Sequence, residues 1–351
     1  MHALLIKMSS MGDLLHVLPA ITDASKAMPG LTFDWVIEEN FSEVASWHPA
    51  IRSIIPSAHR RWRKNVFKAI SSGECSRFYR KLRSKRYDMV LDGQTNFKSA
   101  IISLLSRGER VGLDKYSVRE YIAHFAYQKK YNVTRKQHAI EILRHFFAKA
   151  FDYKHPGGAP DYGIDPSAFE SEDMNMPEKY LVFVHAASWE TKLWPEEFFT
   201  ELLKKAEKEN IPVFLPWGSL QERERALRIV KNCKNGVVLP KMCLSSLARI
   251  LTGSSGAVCV DTGLSHLAAA LEVPSVNLYG PTDPELVGAI GPHQTRLVSG
   301  FKCSPCNKGK CTFNGEASVF PACFSHLTPD KVWDAVTEKI LARPVLINEL
   351  P

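Results

Sequence analysis

Short apolar runs bounded by turn formers alternate along this chain with segments whose apolar residues recur every three or four positions. The first pattern is that of buried strands and the second that of amphipathic helices, so the alternation predicts parallel sheets with helical crossovers. In the first half, strands are expected at Leu4–Ile6, Phe33–Ile37, Ser53–Ile55, Met89–Leu91 and Arg110–Leu113. Helices are expected at Leu15–Ala27, Ser76–Ser84, Phe97–Leu105 and Gln137–Phe151. Residues 153–177 are dense in Pro, Gly, Asp and Ser, the composition of an interdomain linker. The rhythm then restarts, with strands at Tyr180–Val184, Val213–Pro216, Gly236–Leu239, Ala257–Val260 and Ser275–Leu278. Helices at Glu196–Glu209, Leu220–Lys231, Leu244–Thr252 and from Ser265 lie among them, and a last one is expected over Pro329–Ala342. The expected fold is α/β, two doubly wound Rossmann-like lobes facing a central cleft. One lobe spans residues 1–152 and the other 178–328; the segment 329–351 is a candidate to pack back on the first lobe.

Two strand-to-helix turns carry the strongest chemical signal. ALLIKMSSMGDLLHVLPAI (Ala3–Ile21) is a strand, a Ser/Gly turn bearing Asp13, then a helix. VCVDTGLSHLAAAL (Val258–Leu271) repeats the logic with Asp261, Thr262, Gly263 and His266. Free backbone N–H groups and the positive end of a helix dipole make such turns suited to a phosphorylated ligand. Neither is GxGxxG nor GxxxxGK[ST], which disfavours NAD binding and P-loop hydrolysis. Asp, Ser and Thr at these places also serve as plain helix caps.

Other strand ends point to the same presumed cleft. In HAASWETKLWPEEFF (His185–Phe199), Lys192 precedes a Pro-initiated helix and can neutralise a diphosphate. Glu222, in the first turn after PWGS, can bind ribose hydroxyls or favour the dipole. YGPTDP (Tyr279–Pro284) is a further strand-end loop.

Charge alters the picture more than composition does. The net charge is +8 over 351 residues, but residues 1–150 hold 25 Lys and Arg against 13 Asp and Glu, while the remainder is net acidic. The first lobe therefore meets an anionic partner or simply presents a solvated basic face. Its run HRRWRK (His59–Lys64) gathers four cations around a tryptophan, an arrangement that can grip phosphate or carboxylate while the ring stacks. RFYRKLRSKR (Arg77–Arg86) has helical spacing and reads as a solvated or membrane-facing surface. No nucleic-acid motif accompanies either run, so no nucleic-acid partner is expected. No apolar run is long enough to span a bilayer and the N-terminus reads as a strand, so a cytoplasmic chain is expected.

Eight cysteines include one cluster, Cys303, Cys306, Cys311 and Cys323, spaced C-x2-C-x4-C-x11-C. Four thiols so spaced fit a structural zinc or iron site stapling the loop 301–325, or a set of reduced thiols.

Taken together, KMSSMGDLLHVLPA, Lys98–Ala100, TKLWPEE, DTGLSHLAAAL and YGPTDP resemble glycosyltransferase family 9, the bacterial ADP-heptose:lipopolysaccharide heptosyltransferases. The likeness runs over nearly the whole chain, and residues 33–65 resemble the branch that adds the first heptose to Kdo. The resemblance implies a GT-B fold, an inverting transfer from ADP-heptose to Kdo-lipid A, and no metal required for that step. It implies a peripheral place on the inner face of the cytoplasmic membrane. Asp13 becomes the base, with Lys192 acting on the leaving diphosphate. Ser188, Glu222, Met242, Asp261, Thr262, Gly263 and His266 become donor contacts; Ser10, Gly12, Arg60, Arg61, Arg63, Lys64, Lys98 and Arg119 become acceptor contacts. Two departures stand out. The branch carries a threonine pair where this chain has Ala187 and Ser188, and the cysteine cluster looks more like other members of the family. Those members leave a later core heptose or a protein acceptor as an alternative; from another class, the alternative is a non-catalytic nucleotide-sugar or nucleic-acid binding module.

Overall fold

The computed structural model describes residues 1–169 and 175–342. They form two compact units, Met1–Ala168 and a second beginning at Phe169. The first holds β1 (His2–Ile6), β2 (Thr32–Glu38), β3 (Ile51–Ser57), β4 (Met89–Asp92), β5 (Glu109–Leu113) and β6 (Lys129–Tyr131) in one parallel sheet, ordered β3-β2-β1-β4-β5-β6. The second holds β7 (Leu181–Val184), β8 (Val213–Leu215), β9 (Gly236–Val238), β10 (Gly256–Val260), β11 (Ser275–Tyr279) and β12 (Gln294–Val298), ordered β12-β11-β10-β7-β8-β9. Counted from each unit's first strand the two orders are the same, the doubly wound arrangement expected.

The central strands are continuous apolar runs because helices cover both faces. Leu4, Leu5, Ile6, Val90 and Leu91 are fully buried in the first unit, as are Leu181, Phe183, Val258 and Val260 in the second. β6 (KKY) and β12 (QTRLV), not foreseen from sequence, are edge strands with polar residues, which blunts the apolar signal. The helix expected over Leu15–Ala27 is two, Met11–Leu15 and Leu18–Ala27. Pro19 sits in the first turn of the second, where its missing N–H costs nothing.

Residues 153–168, read as linker, are strapped to the first unit. Asp165 N–H donates to the Trp47 carbonyl (2.8 Å), and Asp161 pairs with Lys26 (2.6 Å). Gly163 has φ +58°, and a Cβ there would sit 2.5 Å from Thr22 Oγ1. The helix Pro329–Val336 packs on the second unit, with Val332, Val336 and Ile340 in the core built around Leu181 and Phe183. Residues 170–174 of the expected linker and 343–351 of the C-terminal segment lie outside the described residues.

Candidate active site

Each sheet reverses its winding at one place, between β1 and β4 in the first unit and between β7 and β10 in the second. Loops leaving such neighbours diverge and open a crevice beyond the carboxyl ends, where doubly wound folds take their ligands. The two acidic turns singled out above fall at these two places.

In the first unit, Ser10 caps the helix Met11–Leu15. Its N–H and its hydroxyl both donate to Asp13 Oδ2, at 2.9 Å each. Gly12, in the first turn, is buried. The loop after β4 holds this turn from across the reversal. Gln94 Oε1 accepts from Met8 N–H (3.0 Å), Gln94 Nε2 donates to the Ser9 carbonyl (2.9 Å), and Lys7 Nζ donates to the Gly93 carbonyl (3.0 Å). Burial alone would raise the Asp13 carboxyl, but the Lys7 ammonium, the two Ser10 hydrogen bonds and Arg119 outweigh it and hold it below its ordinary value. Burial in turn lowers Lys7, opposed by Asp13 and Asp92. The result is an ionised carboxylate beside a buried cation that pairs with backbone. Lys7 and Gln94 were missed in the sequence, where neither stands in a recognisable pattern.

Asp92 closes the shell. It accepts from the N–H groups of Gln94 and Thr95 (2.9 Å each) and from Tyr127 Oη (2.7 Å). Burial raises both its carboxyl and the Tyr127 hydroxyl. Gly112 on β5 makes room for that tyrosine, since a Cβ there would lie 2.3 Å from the Tyr127 ring.

The basic residues divide into free and committed. Arg119 is exposed, its N–H bonded to Thr95 Oγ1 (3.2 Å). Lys98 is exposed on the first turn of the helix Phe97–Leu105, and its charge reaches Glu38 and His59. Arg60 N–H donates to Glu38 Oε1 (3.0 Å), and its guanidinium lies 5.4 Å over the Phe41 ring. Arg63 and Lys64 are exposed. Arg61 is committed, paired with Glu39 (2.9 Å) and Glu74 (2.8 Å). The tryptophan expected to stack on a ligand does not face solvent. Trp62 is 9% exposed, packs edge-on to Phe78 and donates Nε1 to Glu74 Oε2 (2.9 Å), because a large apolar ring gains more in the core than beside four cations.

In the second unit Asp261 follows β10 directly and is buried. Lys192 Nζ lies 2.8 Å from its Oδ2, Thr282 Oγ1 donates to the same oxygen (2.6 Å), and His266 Nε2 is 3.8 Å from Oδ1. Thus DTGLSH, TKLWP and YGPTDP meet at one carboxylate. Thr262 caps the helix Gly263–Ala270 through Ser265, so the first-turn N–H groups stand beside the Lys192 ammonium, which also lies 4.9 Å over the Trp189 ring. That is a cradle for an anion. Ser188 is exposed on the loop after β7. Glu222 completes a capping box, its Oε2 accepting from Gly218 N–H (2.6 Å) and Ser219 N–H (3.2 Å). Met242 is half-buried after β9.

The cysteine loop braces this cradle. Thr191 Oγ1 donates to the Lys308 carbonyl (2.6 Å), Asn307 N–H to the Pro281 carbonyl (2.7 Å) and Ser304 Oγ to the Gly280 carbonyl. Cys323 is buried and Cys303 and Cys311 are exposed; all eight cysteines are free thiols. Burial pushes the Cys323 thiol up to about 12, and Cys306, Cys303 and Cys311 add to the rise. They have not converged to coordination distance: among the described residues no three of their sulfurs lie within 4.8 Å of one another.

Two doubly wound units of like strand order, each with an acidic turn at its winding reversal, define a two-lobed Rossmann-like class of α/β protein. The glycosyltransferase family 9 (heptosyltransferase) profile matches residues 75–316, and the chain belongs to that family. It is 43% identical over 99% of its length to the whole of lipopolysaccharide heptosyltransferase 1 of Pseudomonas aeruginosa. Against the protein of that name from Escherichia coli strain K12 it is 44% identical, over 84% of this chain and 92% of the relative. The solved structure of E. coli heptosyltransferase WaaC with ADP superposes with a TM-score of 0.84 at 40% identity, covering 97% of this chain and 100% of that one. The fold is GT-B, as the resemblance implied.

Proposed function

We propose that this chain transfers heptose from ADP-heptose to the lipopolysaccharide inner core; its relatives are named lipopolysaccharide heptosyltransferase 1, and E. coli heptosyltransferase WaaC is solved with ADP and with ADP-2-deoxy-2-fluoro heptose. The acceptor we assign is Kdo of Kdo-lipid A, met at the inner face of the cytoplasmic membrane. The observation that carries the reading is that an ionised, capped Asp13 stands at the winding reversal of one sheet and a Lys192–Asp261 cradle at that of the other.

Asp13 takes the proton of the acceptor hydroxyl as its oxygen bonds to the anomeric carbon. The bond from that carbon to the ADP oxygen breaks on the opposite face, inverting the centre. Negative charge grows on the leaving diphosphate, where the Lys192 ammonium and the Gly263 N–H stabilise it, the Thr262 N–H being held by Ser265 Oγ (3.3 Å). Asp261 fixes Lys192 in place, and His266 stands beside it for heptose or phosphate oxygens. Ser188, Glu222 and Met242 complete the donor site, Glu222 offering the ribose the oxygen its cap does not use. Ser10 and Gly12 line the acceptor beside the base. Arg60, Arg63, Lys64, Lys98 and Arg119 receive its carboxylates and phosphates, while Arg61 braces the run through Glu39 and Glu74.

The four cysteines are read as a structural zinc or iron site, one that would fix the loop beneath Thr191 and Pro281. Metal content of the purified chain, compared with a Cys306→Ser/Cys311→Ser variant, tests this; one ion lost in the variant is expected, and equal content refutes it.

Incubation with ADP-heptose and heptose-less Kdo-lipid A, read by mass spectrometry, tests the transfer. One added heptose is expected. Transfer only to an already heptosylated core or to a protein would reassign the acceptor.

A further inference from the structure

In the first unit, three side chains outside the acidic turn bring metal-type donors together. Glu141, His145 and His155 each offer one ligand atom, and these atoms all lie within 4.8 Å of one another. Glu141 and His145 stand four residues apart on the outer side of the helix Ala139–Ala150, whose inner side buries Leu143, Phe146 and Phe147. His155 comes from the strap 153–168 that follows this helix. The two half-buried imidazoles stack with 4.1 Å between ring centroids.

The trio is oriented by its neighbours but short of partners. Arg144 Nη1 donates to Glu141 Oε1 (2.8 Å), while Asp23 balances the same guanidinium at 2.7 Å. That leaves Glu141 Oε2, and the charge of the carboxylate, for another cation. Lys149, the next cation along the helix, spends its ammonium on the Asn132 carbonyl (2.7 Å). Gly157 N–H donates to His155 Nδ1 (3.0 Å), so the neutral ring carries its proton on Nε2. That nitrogen is buried 3.1 Å from Glu141 Oε2 yet meets no hydrogen-bond geometry. Neither ring nitrogen of His145 has a hydrogen bond among the described residues.

Two imidazole nitrogens and one carboxylate oxygen suit a borderline divalent ion, whereas magnesium and calcium take oxygen shells and copper(I) takes sulfur. A carboxylate held through its other oxygen is the outer support that metal sites use. We propose that Glu141 Oε2, His145 and His155 bind one zinc-class divalent ion (zinc, cobalt or nickel), with water completing the shell from the solvent side. Bonds of about 2.0–2.1 Å put tetrahedral ligand atoms roughly 3.3 Å apart, so the trio closes by up to about 1.5 Å. His155 makes that movement. The ion replaces its Nε2 proton, the ring carries its proton on Nδ1 instead, and the Gly157 N–H turns away. Gly157 and Gly158 have φ of +70° and +69° with nothing within 4 Å of a Cβ at either, so the strap has room. The ion fastens the strap to the helix beside the bonds that Arg144 makes to the Gly157 and Gly158 carbonyls (3.0 Å each). It takes no part in heptose transfer and does not rest on that reading.

The test is a cobalt(II) titration of the untagged full chain, followed by visible absorption, for wild type, His145→Gln/His155→Gln and Cys306→Ser/Cys311→Ser. Wild type and the cysteine variant share one ion whose spectrum is that of nitrogen and oxygen ligands, without thiolate charge transfer. The histidine variant loses that ion or binds it at least about tenfold more weakly, with an unchanged melting temperature in the absence of metal. Zinc displaces the cobalt and slows amide exchange over residues 153–160 only in chains that keep both histidines. If the metal-free histidine variant melts lower, Glu141→Gln takes its place and shows the same tenfold weakening. Equal cobalt affinity in wild type and in the variant used overturns the proposal. So does a wild type whose every bound ion shows thiolate charge transfer and is lost with the cysteines. Zinc that binds through these residues and leaves exchange over 153–160 unchanged overturns the fastening of the strap.

Discussion

The two switch points put the same residue types, an aspartate and a lysine, to opposite uses. In the first unit Lys7 is buried and spends its ammonium on the Gly93 carbonyl, so it polarises Asp13 from a distance and leaves the carboxylate half-exposed. In the second unit Lys192 contacts Asp261 directly at 2.8 Å, and the carboxylate is the buried partner. A proton acceptor must keep an oxygen free; a diphosphate holder must keep a cation in place. On the proposed reading the same topology serves both, because sheet order fixes where the loops meet and side chains fix what they do there.

The sharpest way to break this contrast is to remove each charged group in turn. Asp13→Ala should lower kcat by about 10²–10⁴ with donor affinity retained, measured by initial rates and calorimetry. Lys192→Ala removes a transition-state contact and leaves Asp261 buried without its cation. A loss of about 10²–10³ in kcat is expected, with weaker ADP binding and a lower melting temperature. Gly112→Ala tests the shell behind Asp13. The new Cβ displaces Tyr127 from Asp92, and a loss of about 1–3 kcal/mol in unfolding free energy should follow.

The pH profile sharpens the comparison further. Because the Asp13 carboxyl is held below its ordinary value, the acid limb of kcat/KM should lie below the usual aspartate value of about 3.9. Lys7→Met removes the largest opposing influence and should move that limb to higher pH. The stability sign agrees: a depressed carboxyl contributes stability above its unfolded value and loses it as pH falls through the folded one, so Lys7→Met should also reduce acid tolerance. The smallest effect belongs to Gln94→Ala. Its hydrogen bonds to Met8 and Ser9 position the turn rather than touch substrate. A drop of roughly tenfold in kcat at unchanged donor affinity, with about 1–3 kcal/mol of stability lost, is expected.

The parts legible in sequence are local. A strand, a turn and a helix in succession are written in consecutive residues, so the local pattern alone places Asp13 and Asp261 on strand-to-helix turns. Lys192 is legible for the same reason. What stays hidden depends on partners far along the chain. Gln94 acts on residues 85 and 86 positions away, and Lys7 looks like the end of a strand until Gly93 is beside it. Trp62 misleads because its neighbours in sequence are cations while its neighbours in space are Phe78 and His59. The edge strands β6 and β12 escape because only strands covered on both faces must be apolar.

The measurement that tests the division of labour most directly is a paired one on Asp13→Asn and Asp261→Asn. ADP-heptose affinity by calorimetry and single-turnover transfer to Kdo-lipid A would be read on the same preparations. Asp13→Asn should bind donor as wild type does and fail to transfer, whereas Asp261→Asn should lose donor affinity through a misplaced Lys192. Weakened donor binding in Asp13→Asn, with Asp261→Asn binding and transferring normally, would contradict the account.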